Sequence, residues 1–424
     1  MNTLFKKYLS HIAPQYAAEL WPPVIQKGKG IYLEDVEGRT YLDMDCGWGA
    51  LGWGHAHPDI AGVTHTAVDT LEHAIPPTLS MVQLTEKLAA LLKPHDLNKF
   101  FFGTSGSESV EHAILLALAH YPQKDTLCIL DRAYHGSSIS LLNVSFKVHP
   151  LARYSALKTV EIKSPYCFRC PFNKSRQTCG MECADHAEAL LRENHEKIAS
   201  LLIEPVLGRE CIPLPQGYLK RVANTCKELG IGLTVDEIKT GTGRSGTIFA
   251  FEQEGVSPDI VCMGKSLSNG FPLSLAAFSG SVCPRDFLTN YILLQTTYSG
   301  HTMACARANK VLELLQKKDF LKNVRENSRY LLTQLDSLME KNENVGEVRG
   351  KGMLFAIEFV RNKKEKKPST TSLYQFLNAA LENGIFFASV FQNTLVFAPP
   401  LVITREEMDN FLDRVEHINK TLFA

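Results

Sequence analysis

Between Phe100 and Ser279, short apolar runs alternate with longer stretches of helical periodicity. The runs are FFG (101–103), TLCIL (126–130), SLLIEPV (200–206), IGLTVDE (231–237) and DIVCMGK (259–265). Strands this uniformly apolar are buried on both faces, as in a mostly parallel sheet covered by helices. The connections supply those helices, as over Ser107–His120 and Tyr218–Leu229. In the first of them Val110, Ile114, Ala117, Leu118 and Tyr121 share one face, which starts the helix close to Ser107.

The flanks carry a different pattern. Residues 30–45, GIYLEDVEGRTYLDMD, alternate about a Glu-Gly turn and predict a hairpin. After Thr302 come helical patterns over 302–318 and 319–341, a strand at 353–360 and a helix at 372–383. Two short strands and a closing helix over 404–421 follow. The expected organisation is a large α/β domain over 61–301 and a smaller α+β domain. The smaller domain takes residues 302–424 and part of 1–60, whose start reads as a weakly amphipathic arm.

Composition narrows the function classes. Lys plus Arg equal Asp plus Glu at 45 each, so no field of one sign is available to steer nucleic acid or an acidic membrane surface. The basic run 361–367 precedes Pro, Ser and Thr and reads as a solvated loop. No apolar run reaches bilayer length, and MNTLFKKYLSHIAPQY lacks the apolar stretch of a secretory signal. Eleven cysteines is an odd count, and Cys128, Cys226, Cys262 and Cys305 lie in apolar or helical segments. Reduced thiols in the cytoplasm are expected.

Candidate chemistry gathers where strands end. FFGTSGSESVEH runs from strand through small residues into a helix, so Gly106 and Ser107 lie at a helix N-terminus that can take an anion or simply be capped. Asp236 and Glu237 close one apolar strand and Lys265 closes the next. A lysine and a carboxylate so placed suit pyridoxal phosphate (PLP): the amine forms a Schiff base with the aldehyde, and the carboxylate keeps the pyridine nitrogen protonated. A strand-end ion pair at the surface is the plainer alternative. Gly241–Gly246 fits G-x-G-x-x-G, but no strand runs straight into it and the following TIFAF looks extended, which argues against a dinucleotide site. Cys167, Cys170, Cys179 and Cys183, in a loop over 164–186, have a spacing that could hold zinc or an iron–sulfur cluster. No metal is expected among the site residues. His55 and His57 lack a third ligand pattern and read as turn histidines.

Taken together, the segments resemble the class III, omega-type aminotransferases, in order and over nearly the whole chain. The resemblance rests on GHAHP (54–58), SGSES (105–109), AYHGSS (133–138), IEPV (203–206), DEIKTGTGRSG (236–246), GKSLSNGFPLS (264–274), TYSGHT (297–302) and FAPPLVIT (397–404). It implies a fold-type-I PLP transferase with a seven-stranded-type, mostly parallel sheet. It implies a ping-pong amino transfer from an amine or amino acid to a carbonyl acceptor, in homodimers with shared active sites. Lys265 and Asp236 would be catalytic. Gly106 and Ser107 would bind the phosphate, Tyr134 and Ile238 the two ring faces, and Thr297 the phosphate held by the partner subunit. Glu204 and Lys239 would also line the cofactor site, and Trp48 the substrate pocket. Three departures stand out: Lys239 replaces a usual Gln, Val396 replaces an Arg that often holds a substrate carboxylate, and Ser299-Gly300-His301-Thr302 replaces Gly-Gly-Asn-Pro. A PLP racemase or epimerase is the alternative, then a lyase, and a catalytically dead binding protein comes from another class.

Overall fold

The computed structural model describes residues 3–12, 23–146, 149–175, 177–282 and 296–423; the later part of the expected arm, from residue 13, lies outside them. Contacts divide the chain into two compact units, residues 59–321 and residues 1–58 with 322–424.

The first unit is built on seven strands: β1 (Lys99–Gly103), β2 (Thr126–Leu130), β3 (Lys158–Ile162), β4 (Ile198–Ile203), β5 (Gly232–Asp236), β6 (Ile260–Met263) and β7 (Ser274–Phe278). Their spatial order is β1-β7-β6-β5-β4-β2-β3. β7 runs antiparallel to both of its neighbours, and the remaining pairs are parallel. β2, β4, β5 and β6 are buried along their full length, which explains their uninterrupted apolar sequence.

Helices α1 (Leu79–Leu92), α2 (Gly106–His120), α3 (Glu182–Asn194), α4 (Tyr218–Leu229) and α5 (Thr302–Leu315) belong to this unit. α2 starts at a capping box: the Ser105 hydroxyl accepts from Glu108 N–H, and the Glu108 carboxylate accepts from Ser105 N–H. Its Val110, Ala113, Ile114 and Ala117 pack with Leu127, Ile129, Leu202, Ile260 and Ala276 of the sheet. The Val, Leu and Ile side chains among them each contribute roughly 1.5–3 kcal/mol when fully buried. That packing fixes the end of α2 relative to the strand ends. Residues 241–249 form turns and no helix opens at their glycines. TIFAF is not fully extended either: Ala250 and Phe251 open a 3-10 turn over Ala250–Glu254.

The second unit holds two sheets. In one, the hairpin Tyr32–Asp35 and Thr40–Asp43 is joined by Ile25–Lys29 on one side and by Ile385–Phe386 on the other. The other orders Val345–Gly350, Phe355–Phe359, Thr394–Phe397 and Ser389–Phe391 as antiparallel neighbours. Phe355, Phe397, Phe387 and Phe411 pack ring against ring beneath it. Val396 is buried here, paired with Ala356 and Ser389.

Candidate active site

Six of the seven strands share one direction, so their C-terminal ends and the following residues collect on one edge of the sheet. β1 leads to Ser105, Gly106 and Ser107; β2 to Tyr134 and His135; β4 to Glu204; β5 ends on Asp236; β6 leads to Lys265. Open α/β sheets bind ligands at that edge.

Asp236 is not a surface ion-pair member. It is 4% exposed; its Oδ2 lies 2.8 Å from His135 Nδ1, and its Oδ1 accepts from Ile238 N–H at 3.0 Å. His135 is itself buried, and its backbone N–H donates to the Ser145 hydroxyl at 2.8 Å. Lys265 lies on the neighbouring strand's exit, half-buried, with φ of 45° at the first residue of a short 3-10 turn. A non-glycine residue in the left-handed region is uncommon and costly, and such strain is enriched at functional sites.

Ile238 bridges the Lys265 end and the phosphate end. A Cβ placed on Gly106 would lie 3.1 Å from Ile238 Cδ1, and one on Gly264 would lie 3.6 Å from Ile238 Cγ2. At the head of α2, the first N–H groups have no acceptor within the helix and carry its positive dipole end. Ser107 Oγ accepts from Ser137 N–H at 3.3 Å. Gly136 allows that approach: its φ is 126°, and a Cβ there would fall 2.5 Å from Ser107 Oγ.

Glu204 organises the next segment. Its carboxylate accepts from Tyr134 N–H at 2.9 Å and from Gly208 N–H at 2.7 Å. Burial raises its pKa; the Asp236 charge adds to this, and His135 opposes it. Lys239 Nζ donates to Gly208 O at 2.7 Å. Arg209 lies over the rings of Tyr134 and Phe146, at 5.2 and 4.4 Å, and donates to Ser145 O at 2.5 Å.

Glu237, next to Asp236, points into the interior instead. The hydroxyl of Thr240 donates to one of its oxygens and the N–H of Phe251 to the other. Burial pushes its pKa from 4.5 up to about 8. Between those values the folded protein keeps a proton that the unfolded chain releases, so this group's stabilising share declines as pH rises from 4.5 to about 8. Glu237→Gln keeps a neutral, hydrogen-bonding group. The fall in thermal midpoint between pH 6 and 8.5 should therefore be smaller in the variant than in the parent, by roughly several degrees.

Other expected residues lie elsewhere. Thr297 sits in an exposed turn, its carbonyl accepting from His73. Trp48 belongs to the second unit, 55% exposed with φ of 57°, its N–H donating to Asp45 Oδ2. His55 pairs with Asp43 at 2.7 Å. Among the described residues no group of three or more His, Cys, Asp or Glu side chains is placed to hold a metal ion. Sequence reasoning missed His135 and Arg209 as site residues. His135 stands in the quoted AYHGSS, but its partner Asp236 is 101 residues away. The signal available was the need of a buried carboxylate for a donor.

The donor set fits PLP. An amine and a buried carboxylate stand on adjacent strand exits, a helix N-terminus is ready for a dianionic phosphate, and Ile238 and Tyr134 are apolar surfaces for a ring. The class-III aminotransferase family model matches residues 15–418. The chain is 31% identical over 416 residues to an adenosylmethionine-8-amino-7-oxononanoate aminotransferase of Geobacter sulfurreducens, covering 93% of this chain and 91% of the relative. It is also 31% identical over 420 residues to a leucine/methionine racemase of Thermococcus litoralis, covering 96% and 93%. An (S)-enantioselective omega-transaminase from Thermomicrobium roseum superposes with a TM-score of 0.89 at 28% identity, covering 99% of this chain and 98% of the other. With this donor set and these likenesses, the chain belongs to the class-III aminotransferases, a family that depends on pyridoxal phosphate.

Proposed function

We propose that this chain moves an amino group from an amine or amino acid to a carbonyl acceptor in two half-reactions at the edge described above. The observation that carries the reading is the buried Asp236, held by His135, on the strand beside the one that leads to Lys265. When bound, PLP supplies a ring that accepts electrons from a substrate carbon. Asp236, buried and braced by His135, would hold a proton on the ring nitrogen. Lys265 attaches the cofactor at rest, then moves a proton between carbon atoms as an amine set in a partly buried turn. Tyr134 and Ile238 confine the ring, with Arg209 braced on Tyr134. Gly106, Ser107 and the head of α2 take the phosphate. Glu204 fixes the Tyr134 and Gly208 backbones, and Lys239 brings a cation to the cofactor's phenolic side.

Thr297 lies in an exposed turn, which suits a role toward the phosphate of a second copy in a homodimer. Trp48 would form part of the substrate wall. Val396 offers no cation, so a substrate carboxylate is not held from that position. The ten described cysteines are thiols rather than disulfide partners, which suits a reducing cytoplasm.

A racemase reading rests on the Thermococcus litoralis relative. One measurement separates the two. Purified holoenzyme is given single amino acids, amines and amino sugars, with and without 2-oxo acids. Amino transfer predicts a stoichiometric carbonyl product and parallel double-reciprocal lines. Loss of optical rotation without carbonyl product assigns racemisation instead.

A further inference from the structure

The turn that carries Thr297 is anchored at both ends. At one end the Ser80 hydroxyl donates to Thr302 O at 3.1 Å. At the other, His73 Nε2 donates to Thr297 O at 2.8 Å; a carbonyl can only accept, so the proton is on Nε2. His73 also stacks on His301, with ring centroids 5.0 Å apart and planes 6° from parallel, and Tyr298 lies 5.6 Å from the same ring. Gly300 closes the turn at φ of 69°, so near α1 that a Cβ would fall 2.9 Å from Met81. His301 stands where the family's usual segment carries Asn, and an Asn has no ring to offer His73.

We propose that His73, clasped by His301, is a positioning residue that holds the Thr297 turn in the shape needed to reach the cofactor phosphate of a second copy. The inference rests on the Thr297 role put forward above and goes beyond it by naming what sets that residue's place. The clasp responds to acid. Burial, then the nearby His73, lowers the His301 pKa, and Glu72 opposes them. Tyr298 also faces the pair; Leu79, Ser80 and Met81 at the start of α1 and Thr302, Met303 and Ala304 at the start of α5 carry no ionisable side chain. A proton on the His301 ring places a positive charge against the ring stacked on it, so acid loosens the clasp.

Release of PLP from the dimeric holoenzyme tests this, followed by its absorbance after dilution between about pH 5.5 and 8. His73→Ala should weaken PLP binding about tenfold at neutral pH, the loss expected for one hydrogen bond and a stack. His73→Gln, whose amide N–H can reach the same carbonyl and does not titrate, should retain most of the affinity and lose the weakening that the parent shows in acid. His301→Asn should fall between them. If Thr297→Ala weakens binding and His73→Ala does not, the positioning role is wrong and the Thr297 reading stands. If Thr297→Ala itself has no effect, that reading fails and the proposal goes with it. Sedimentation velocity runs alongside: a His73→Ala chain that becomes monomeric would assign His73 to assembly and overturn the proposal.

Discussion

Lys265→Met should lower amino-transfer turnover by roughly 10³-fold or more, because one substitution removes both the proposed attachment point of the cofactor and the proposed proton carrier. Methionine matches the lysine stem in length and tolerates a partly buried turn, so folding should survive. Its main risk is the left-handed φ of 45°, which lysine already bears. Borohydride treatment followed by peptide mapping should leave the cofactor on the peptide containing Lys265 in the parent and on none in the variant. A labelled lysine elsewhere in the parent would remove Lys265 from its assigned role. Added small amines should restore part of the lost rate in the variant if its deficit is one of proton transfer.

Asp236→Asn should cost roughly 10²- to 10⁴-fold in kcat, since it removes the carboxylate proposed to keep the ring nitrogen protonated. The sign of the pH response distinguishes this from simple damage. Without the carboxylate, the ring nitrogen gains its proton only as pH falls, so the variant's residual activity should climb toward acid. An Asp236→Asn enzyme with a flat pH profile and near-parent turnover would show that the carboxylate has no such task. His135→Leu, which leaves Asp236 in place but strips its 2.8 Å partner, should show a smaller loss in the same direction.

Strands β2, β4, β5 and β6 are legible because they are buried on both sides. TLCIL over 126–130 coincides with β2, and Tyr218–Leu229 coincides with α4. β7 was not read as a strand, because SLAAF offers neither alternation nor β-branched residues, and only its place between β1 and β6 makes it one. Lys265 and Asp236 stood out because ionisable residues at the ends of apolar strands are conspicuous. His135 did not, since its meaning comes from a partner on another strand. Glu237 illustrates the opposite failure: adjacent to Asp236 in sequence, it turns into the interior and meets Thr240 and Phe251. Neighbours in a chain share no destiny once a strand ends.

The antiparallel strand β7 also bears on how the enzyme comes into being. Ser274 Oγ on β7 donates to Ser105 O at 2.6 Å, locking the loop that opens α2 to a strand synthesised long after it. The segment beyond Lys265 must therefore be made before this hydrogen bond can hold the loop at Gly106. Chains that stop before Ser274 would lack this hold on the proposed phosphate loop and are expected to emerge colourless.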